Sequence, residues 1–250
     1  MANGISQLEN RNWRFKGDVQ VDGHLNSSRN RYELVEDFRQ LPSINASIAV
    51  STNLDFEVLG TNASADDVIY STTVAGIQLE TDGADNDQVI ILPHLDASQT
   101  AWAGVLWGTE NQVIWEATIR TGATITSYMV WAGLKLTNTS TIATDADQIF
   151  FRFSTDDSDT NWRLISSIGG ADTNTDSGLA FAASTIYRLK ISIDSARAAT
   201  FYINDVAYYT TAALTNDIDL IPYVGIQDLA AASARNMVLC NEKISRIFFE

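Results

Sequence analysis

The chain is 250 residues long, 45% hydrophobic and 10% aromatic, with three prolines and a net charge of −15 at pH 7. That is enough apolar material for one large sandwich or two small domains, and too much for wholesale disorder. The acidic balance repels phosphate backbones and anionic lipid heads, so nucleic-acid and membrane-surface partners are disfavoured. No stretch approaches the ~18 consecutive apolar residues of a membrane-spanning helix. The start, Met1-Ala2-Asn3-Gly4-Ile5-Ser6, lacks the apolar core of a secretion signal, and the expectation is a protein made in a cytoplasm and not exported by that route.

The first forty residues carry six basic and six acidic side chains, so the rest of the chain holds the whole charge excess. Residues 12–23 read as a short hairpin with a Gly17-Asp18 turn, and Asn26 to Arg31 as a polar loop. Tyr32 to Phe38 reads as a helical turn or two, stopped before Pro42. Such a segment is too small to own a core. The reading is an arm over 1–42 that packs on something else through Trp13, Phe15 and Tyr32, with the body at 43–250.

Within the body, strand patterns recur at 47–50, 54–59, 75–80, 88–92, 112–120, 126–136 and 148–154. They continue at 162–168, 187–193, 199–203, 207–210, 223–227, 237–240 and 244–249. The connectors are rich in Asp, Asn, Gly, Ser and Thr, including 155–161 and 169–178. The end of the chain is the clearest. Tyr187 to Ile193 and Ala199 to Ile203 alternate apolar with polar, joined by the turn Asp194-Ser195-Ala196-Arg197. Asn204-Asp205 then makes a second turn, since both residues tolerate left-handed backbone. Evenly spaced strands with polar connectors predict an all-β, two-sheet antiparallel sandwich, each sheet with one wet face. Trp115, Phe151 and Phe153 fall on core faces. Trp102 and Trp107 flank a glycine-containing segment and read as surface or interface residues.

The chain offers little for catalysis. Two histidines, His24 and His94, are too few for a histidine metal cluster, and His94 after Pro93 reads as part of a turn. No nucleophile elbow, zinc-protease helix, paired Cys-x-x-Cys or phosphate-binding glycine loop occurs. One cysteine, Cys240, excludes an internal disulfide, and its apolar run marks it as a small core residue. Glu80 and Asp82 come nearest to the paired carboxylates of a retaining glycosidase, with no further Glu to complete the pattern. The expectation is therefore no enzyme. Asp157-x-Asp159-x-Asn161 and Asp172-x-Asn174-x-Asp176 have the alternating oxygen ligands of a Ca²⁺ loop, the one cofactor the sequence suggests; ordinary turn capping is the competing explanation.

Gln148-Ile149-Phe150-Phe151-Arg152-Phe153, Asn161-Trp162-Arg163-Leu164, Tyr187-Arg188-Leu189-Lys190-Ile191, Phe201-Tyr202-Ile203-Asn204 and Val224-Gly225-Ile226 form a familiar succession. From residue 43 to the end the chain resembles concanavalin A-like, laminin-G-type jelly rolls, and more narrowly those of tailed-bacteriophage virion structural proteins. It departs from them in having Asn204-Asp205 where Asn-Gly is usual. The resemblance implies a homo-oligomeric, most plausibly trimeric, capsid-decoration or tail-associated subunit of the virion. Such a subunit is assembled in the host cytoplasm and fixed to other virion proteins by its arm. The alternative is a lectin-like carbohydrate-binding module, Ca²⁺-dependent in some relatives, with a glycan as partner.

Overall fold

The computed structural model describes residues 31–44, 55–94, 101–140, 145–230 and 233–247. These contain β1 (Arg31–Glu36), β2 (Ser43–Ile44), β3 (Phe56–Leu59), β4 (Val68–Tyr70), β5 (Ile77–Glu80), β6 (Gln88–Pro93), β7 (Ile114–Thr121) and β8 (Tyr128–Lys135). They continue with β9 (Gln148–Ser154), β10 (Asn161–Ile168), β11 (Ala171–Ala180), β12 (Ile186–Ile193), β13 (Ala198–Ile203), β14 (Val206–Ala213), β15 (Ile221–Asp228) and β16 (Asn236–Ile247). Sheet A runs β14-β13-β12-β7-β16-β5-β4, with β1 on the far half of β16. Sheet B runs β11-β10-β9-β8-β15-β6-β3-β2. Pairing is antiparallel throughout except for β2 with β3.

Alternation decides which side chains meet between the sheets. Trp115, Ile119, Leu189 and Phe201 of sheet A pack against Val130, Ala132, Phe151, Trp162, Leu164 and Val224 of sheet B. Aromatic rings close one end of this layer. Phe153 stacks on Phe181 at 3.9 Å, and Trp162 meets Phe181 and Tyr187 edge-on at 4.8 and 5.3 Å. The meander at 186–213 has the two turns read from the sequence. Asn204 and Asp205 take φ of 52° and 68°, and Asp194 accepts the amides of Ala196 and Ala198 at 2.8 and 2.9 Å.

Several expectations are corrected. Residues 32–36 form strand, not helix, because β16 offers a free ladder of backbone groups that a short isolated helix cannot match. Tyr32 stacks on Trp107 at 6.3 Å, and Phe38 is buried against Phe56 at 5.3 Å. Trp13 and Phe15 lie outside the described residues. Trp102 and Trp107 are core residues, at 3% and 1% exposure, held by a bond from Trp107 Nε1 to the Trp102 carbonyl at 2.7 Å. Cys240 is only half-buried, at a register shift between Leu239 and Asn241. Residues 171–180 form an edge strand where a loop was expected.

Candidate functional site on the outer face of sheet B

Sheet B does not present a wet outer face. Ile90, Leu92, Trp131, Phe150, Ile165, Ile221 and Tyr223 point away from the core and form a second buried cluster. The strand register maps this face residue by residue. One row crosses seven strands: Asp176, Arg163, Arg152, Trp131, Gly225, Ile90 and Leu59. The next row holds Asn174, Ile165, Phe150, Gly133 and Tyr223, and a third Asp172, Ser167, Gln148, Lys135 and Ile221. On β8, β9 and β10 this makes a patch of nine residues, with polar rows on either side of an apolar middle.

Trp131 sets the shape of this patch. A Cβ on Gly225 would lie 2.7 Å from its Cζ2, so the indole lies flat over that glycine, stacked beside Tyr223 at 6.3 Å and 29°. Four polar atoms here are buried without a hydrogen-bond partner: Trp131 Nε1, Arg152 Nε, Gln148 Oε1 and Ser167 Oγ. Each such atom costs about 1–3 kcal/mol, and folded proteins contain few of them, so four on three adjacent strands call for an explanation. The loop after β8 folds back over the face, with Tyr223 Oη donating to the Thr139 carbonyl. Asp145 fixes the base of the loop through the amides of Leu136 and Thr137 at 3.0 and 2.8 Å.

The charged groups of this face are mutually engaged. Lys135 is fully buried, its Nζ 4.5 Å from the Tyr223 ring centre and 3.9 Å from Asp145, and desolvation lowers its pKa against the pull of that carboxylate. Farther along, His94 follows β6 in full burial, its Nδ1 3.3 Å from Glu57 Oε2. The expected turn after Pro93 is instead a buried histidine–carboxylate contact. Glu80 lies apart on sheet A, taking the amide of Gln78.

Five of the six candidate Ca²⁺ ligands do come together, around arginine. Arg152 reaches Asp157 at 2.9 Å and Asp159 at 3.2 Å. Arg163 reaches Asp176 at 2.7 Å, Asn174 at 2.8 Å and Asp159 at 3.6 Å, while Asn161 donates to Asp176 at 2.9 Å. Asp172 stands apart, opposite Ser167. Arg152 and Arg163 thus take up the oxygens of these side chains. Among the described residues no group of three or more His, Cys, Asp or Glu is placed to hold a metal. Desolvation raises the pKa of Asp159 despite its arginine neighbours, whereas the Gly178 amide and Asn161 lower that of Asp176.

Sequence reading missed Trp131, Tyr223 and Gly225 as site residues. The signal was available: 130–134, 221–226 and 89–92 are near-continuous apolar runs, the pattern of strands buried on both faces.

No protein-family model and no curated protein sequence matches the chain. Solved structures do. A protein of unknown function from Shewanella oneidensis MR-1 is 14% identical, with a TM-score of 0.56 and 86% of each chain covered. The Bacillus licheniformis β-glucanase is 10% identical at TM-score 0.55, covering 85% of this chain and 97% of its own. An alginate lyase from Corynebacterium sp. is 12% identical at TM-score 0.51, covering 72% and 81%. At such identities the likeness shows the fold, a concanavalin A-like jelly roll. Nothing in these likenesses links the chain to phage virion proteins. The expectation that the chain is no enzyme is corrected by the same likeness, since enzymes that act on polysaccharides are built on this fold. The physical reason is that one sheet face gathers side chains from many strands, leaving no local motif to be missed or found.

Proposed function

We propose that this chain is a polysaccharide-binding jelly roll that takes its glycan on the outer face of sheet B. The observation that carries this is the partly exposed polar edge of that face, where Arg152 and Arg163, at 16% and 23% side-chain exposure, stand among Asp157, Asp159 and Asp176. The fold shared with a β-glucanase and alginate lyases supports the same reading. The lectin-like alternative thus replaces the virion-subunit expectation, which no comparison supports.

The test is retention of the full chain on immobilised plant, algal and bacterial polysaccharides, with release of new chain ends followed in the same samples. At least one polysaccharide is expected to retain the protein. Arg163→Met, which removes a partly exposed donor from that edge, is expected to weaken that retention about tenfold. Retention by none of the polysaccharides, or retention unaffected by Arg163→Met, overturns the proposal.

A further inference from the structure

Strand β1 is held to the sandwich by one neighbour and carries a conflict of charge within that pairing. Among the described residues it pairs only with the far half of β16. Tyr32, Leu34 and Glu36 share its inward face, and Glu36 stands directly opposite Glu242 in the ladder. Side chains so placed have Cβ atoms about 5 Å apart, and like charges there repel. Glu242 is fully buried; its Oε1 takes the Trp115 indole N–H at 2.7 Å, and its Oε2 has no hydrogen-bond partner. The cations of the two strands are engaged elsewhere. Lys243 lies on the outer face with Glu33 and Glu116, at 3.0 and 3.2 Å. Arg31 reaches Ser245 Oγ and the Gln112 carbonyl at 2.9 and 3.0 Å, and Arg246 bonds the Leu106 carbonyl. Around Glu36 stand two more acids, Asp55 and Asp37, and Arg39 pairs with Asp37 at 3.5 Å. The chain leaving β1 is strained as well. Phe38 donates its amide to Glu36 Oε1 and takes a φ of 51°, a left-handed backbone that costs a bulky aromatic residue free energy.

We propose that β1 is a strap that the sandwich releases as pH rises, with the Glu36–Glu242 pair as its trigger. While Glu242 holds a proton, the ladder closes without two charges facing each other. Once Glu242 ionises, swinging β1 away hydrates both carboxylates and frees Phe38 from its strained backbone. What has to separate is small: a six-residue ladder, the Tyr32–Trp107 stack at 6.3 Å, and the Phe38 ring against Phe56 at 5.3 Å. Release uncovers Trp107, Phe56 and the backbone edge of β16 from Glu242 to Ile247. The direction follows from the protons. Burial raises the pKa of Glu36, and it moves the carboxyl of Glu242 from 4.5 to about 8. Opening returns both toward ordinary values and so gives up protons. Between 4.5 and about 8 the opening constant rises with pH, by about tenfold per unit from Glu242 alone, and above that it levels off. Lys243, whose pKa its bond to Glu33 raises, stays charged across this window and adds no slope.

The experiment is amide hydrogen exchange of the full chain from about pH 5 to about pH 9, corrected for the intrinsic exchange rate at each pH, with and without dilute urea. The amides of β1 are compared with those of β12, which lies inside sheet A. Protection of β1 is expected to fall about tenfold per pH unit until about pH 8. At every pH it is expected to be at least about 100-fold lower than that of β12, and to change less than about twofold in urea, as a local opening requires. Glu242→Gln, which keeps an acceptor for Trp115, is expected to abolish the pH slope in β1. Glu36→Gln is expected to raise the protection of β1, and to raise it more at the alkaline end, where it removes the repulsion. Equal protection and equal urea dependence in β1 and β12 would show that β1 leaves only when the whole molecule unfolds, and overturns the strap. A slope in β1 that survives Glu242→Gln overturns the trigger. If that variant does not fold, Glu36→Gln decides the matter: the same gain in protection at both ends of the pH range overturns the trigger too.

Discussion

Single residues carry most of the chemical tension in this protein, and Glu242 carries the most. It is fully buried, its Oε1 takes the Trp115 indole N–H at 2.7 Å, and Glu36 lies opposite on β1. Burial, with a smaller contribution from Glu36, pushes its carboxyl from 4.5 up to about 8. The native state therefore holds a proton that the unfolded chain releases. Below the unfolded value both states are protonated and stability is complete. Between 4.5 and about 8 stability falls as pH rises, and above that it levels off. The loss is expected to be on the order of a few kcal/mol. Melting temperature followed from about pH 5 to pH 9 should fall in the wild type and fall less in Glu242→Gln, which keeps an acceptor for Trp115. Equal slopes in the two proteins would refute this account. The sequence shows only Glu242 in an alternating strand; its inward aim follows from the register shift at Cys240, which no composition or spacing announces.

At the scale of elements, β9, β10 and β11 show how a local pattern can be legible while its meaning is not. The alternation of Asp157, Asp159 and Asn161, and of Asp172, Asn174 and Asp176, is plain in the chain. Arg152 and Arg163, from adjacent strands, are what the pattern serves. Chelator is accordingly expected to leave the melting temperature of the wild-type protein unchanged, with no heat on Ca²⁺ titration. Arg163→Met removes the guanidinium between Asp159 and Asp176. It is expected to cost about 1 kcal/mol at this half-exposed site and to create measurable Ca²⁺ stabilisation. Ca²⁺ heat from the wild type would restore the metal reading. The runs in β6, β8 and β15 are the opposite case, legible in the sequence as strands covered on both faces.

For the whole molecule, the boundary of the body lies earlier than composition suggests. β1 contributes a six-residue ladder to β16, and Phe38 packs at 3% exposure in the core. A chain beginning at Arg31 keeps every described contact and is expected to fold. One beginning at Leu41 loses a strand and a core ring, at a cost of about 3–5 kcal/mol for the ring alone. Urea titration of the two truncations checks this, and equal midpoints would show that β1 and Phe38 contribute nothing. The expectation that residues 1–42 fix the chain to a partner is tested alongside. Loss of self-association in the Arg31 truncation, with folding intact, is the result that anchoring requires.

The amino-acid sequence by itself determined the all-β class, most strands, and the two turns of the meander. Period-two alternation and left-handed turn residues are local physics, readable within a few positions. Tertiary structure alone decided that Tyr32 and Phe38 belong to the sandwich, that Trp102 and Trp107 are core, and that the acidic loops close on arginine. It also decided that Ser167, Gln148, Arg152 and Trp131 share one patch. These residues stand as far apart as 36 positions along the chain and meet only because β8, β9 and β10 pair in one register. Pairing among distant strands depends on the closure of the whole sheet, and no window of sequence contains that information.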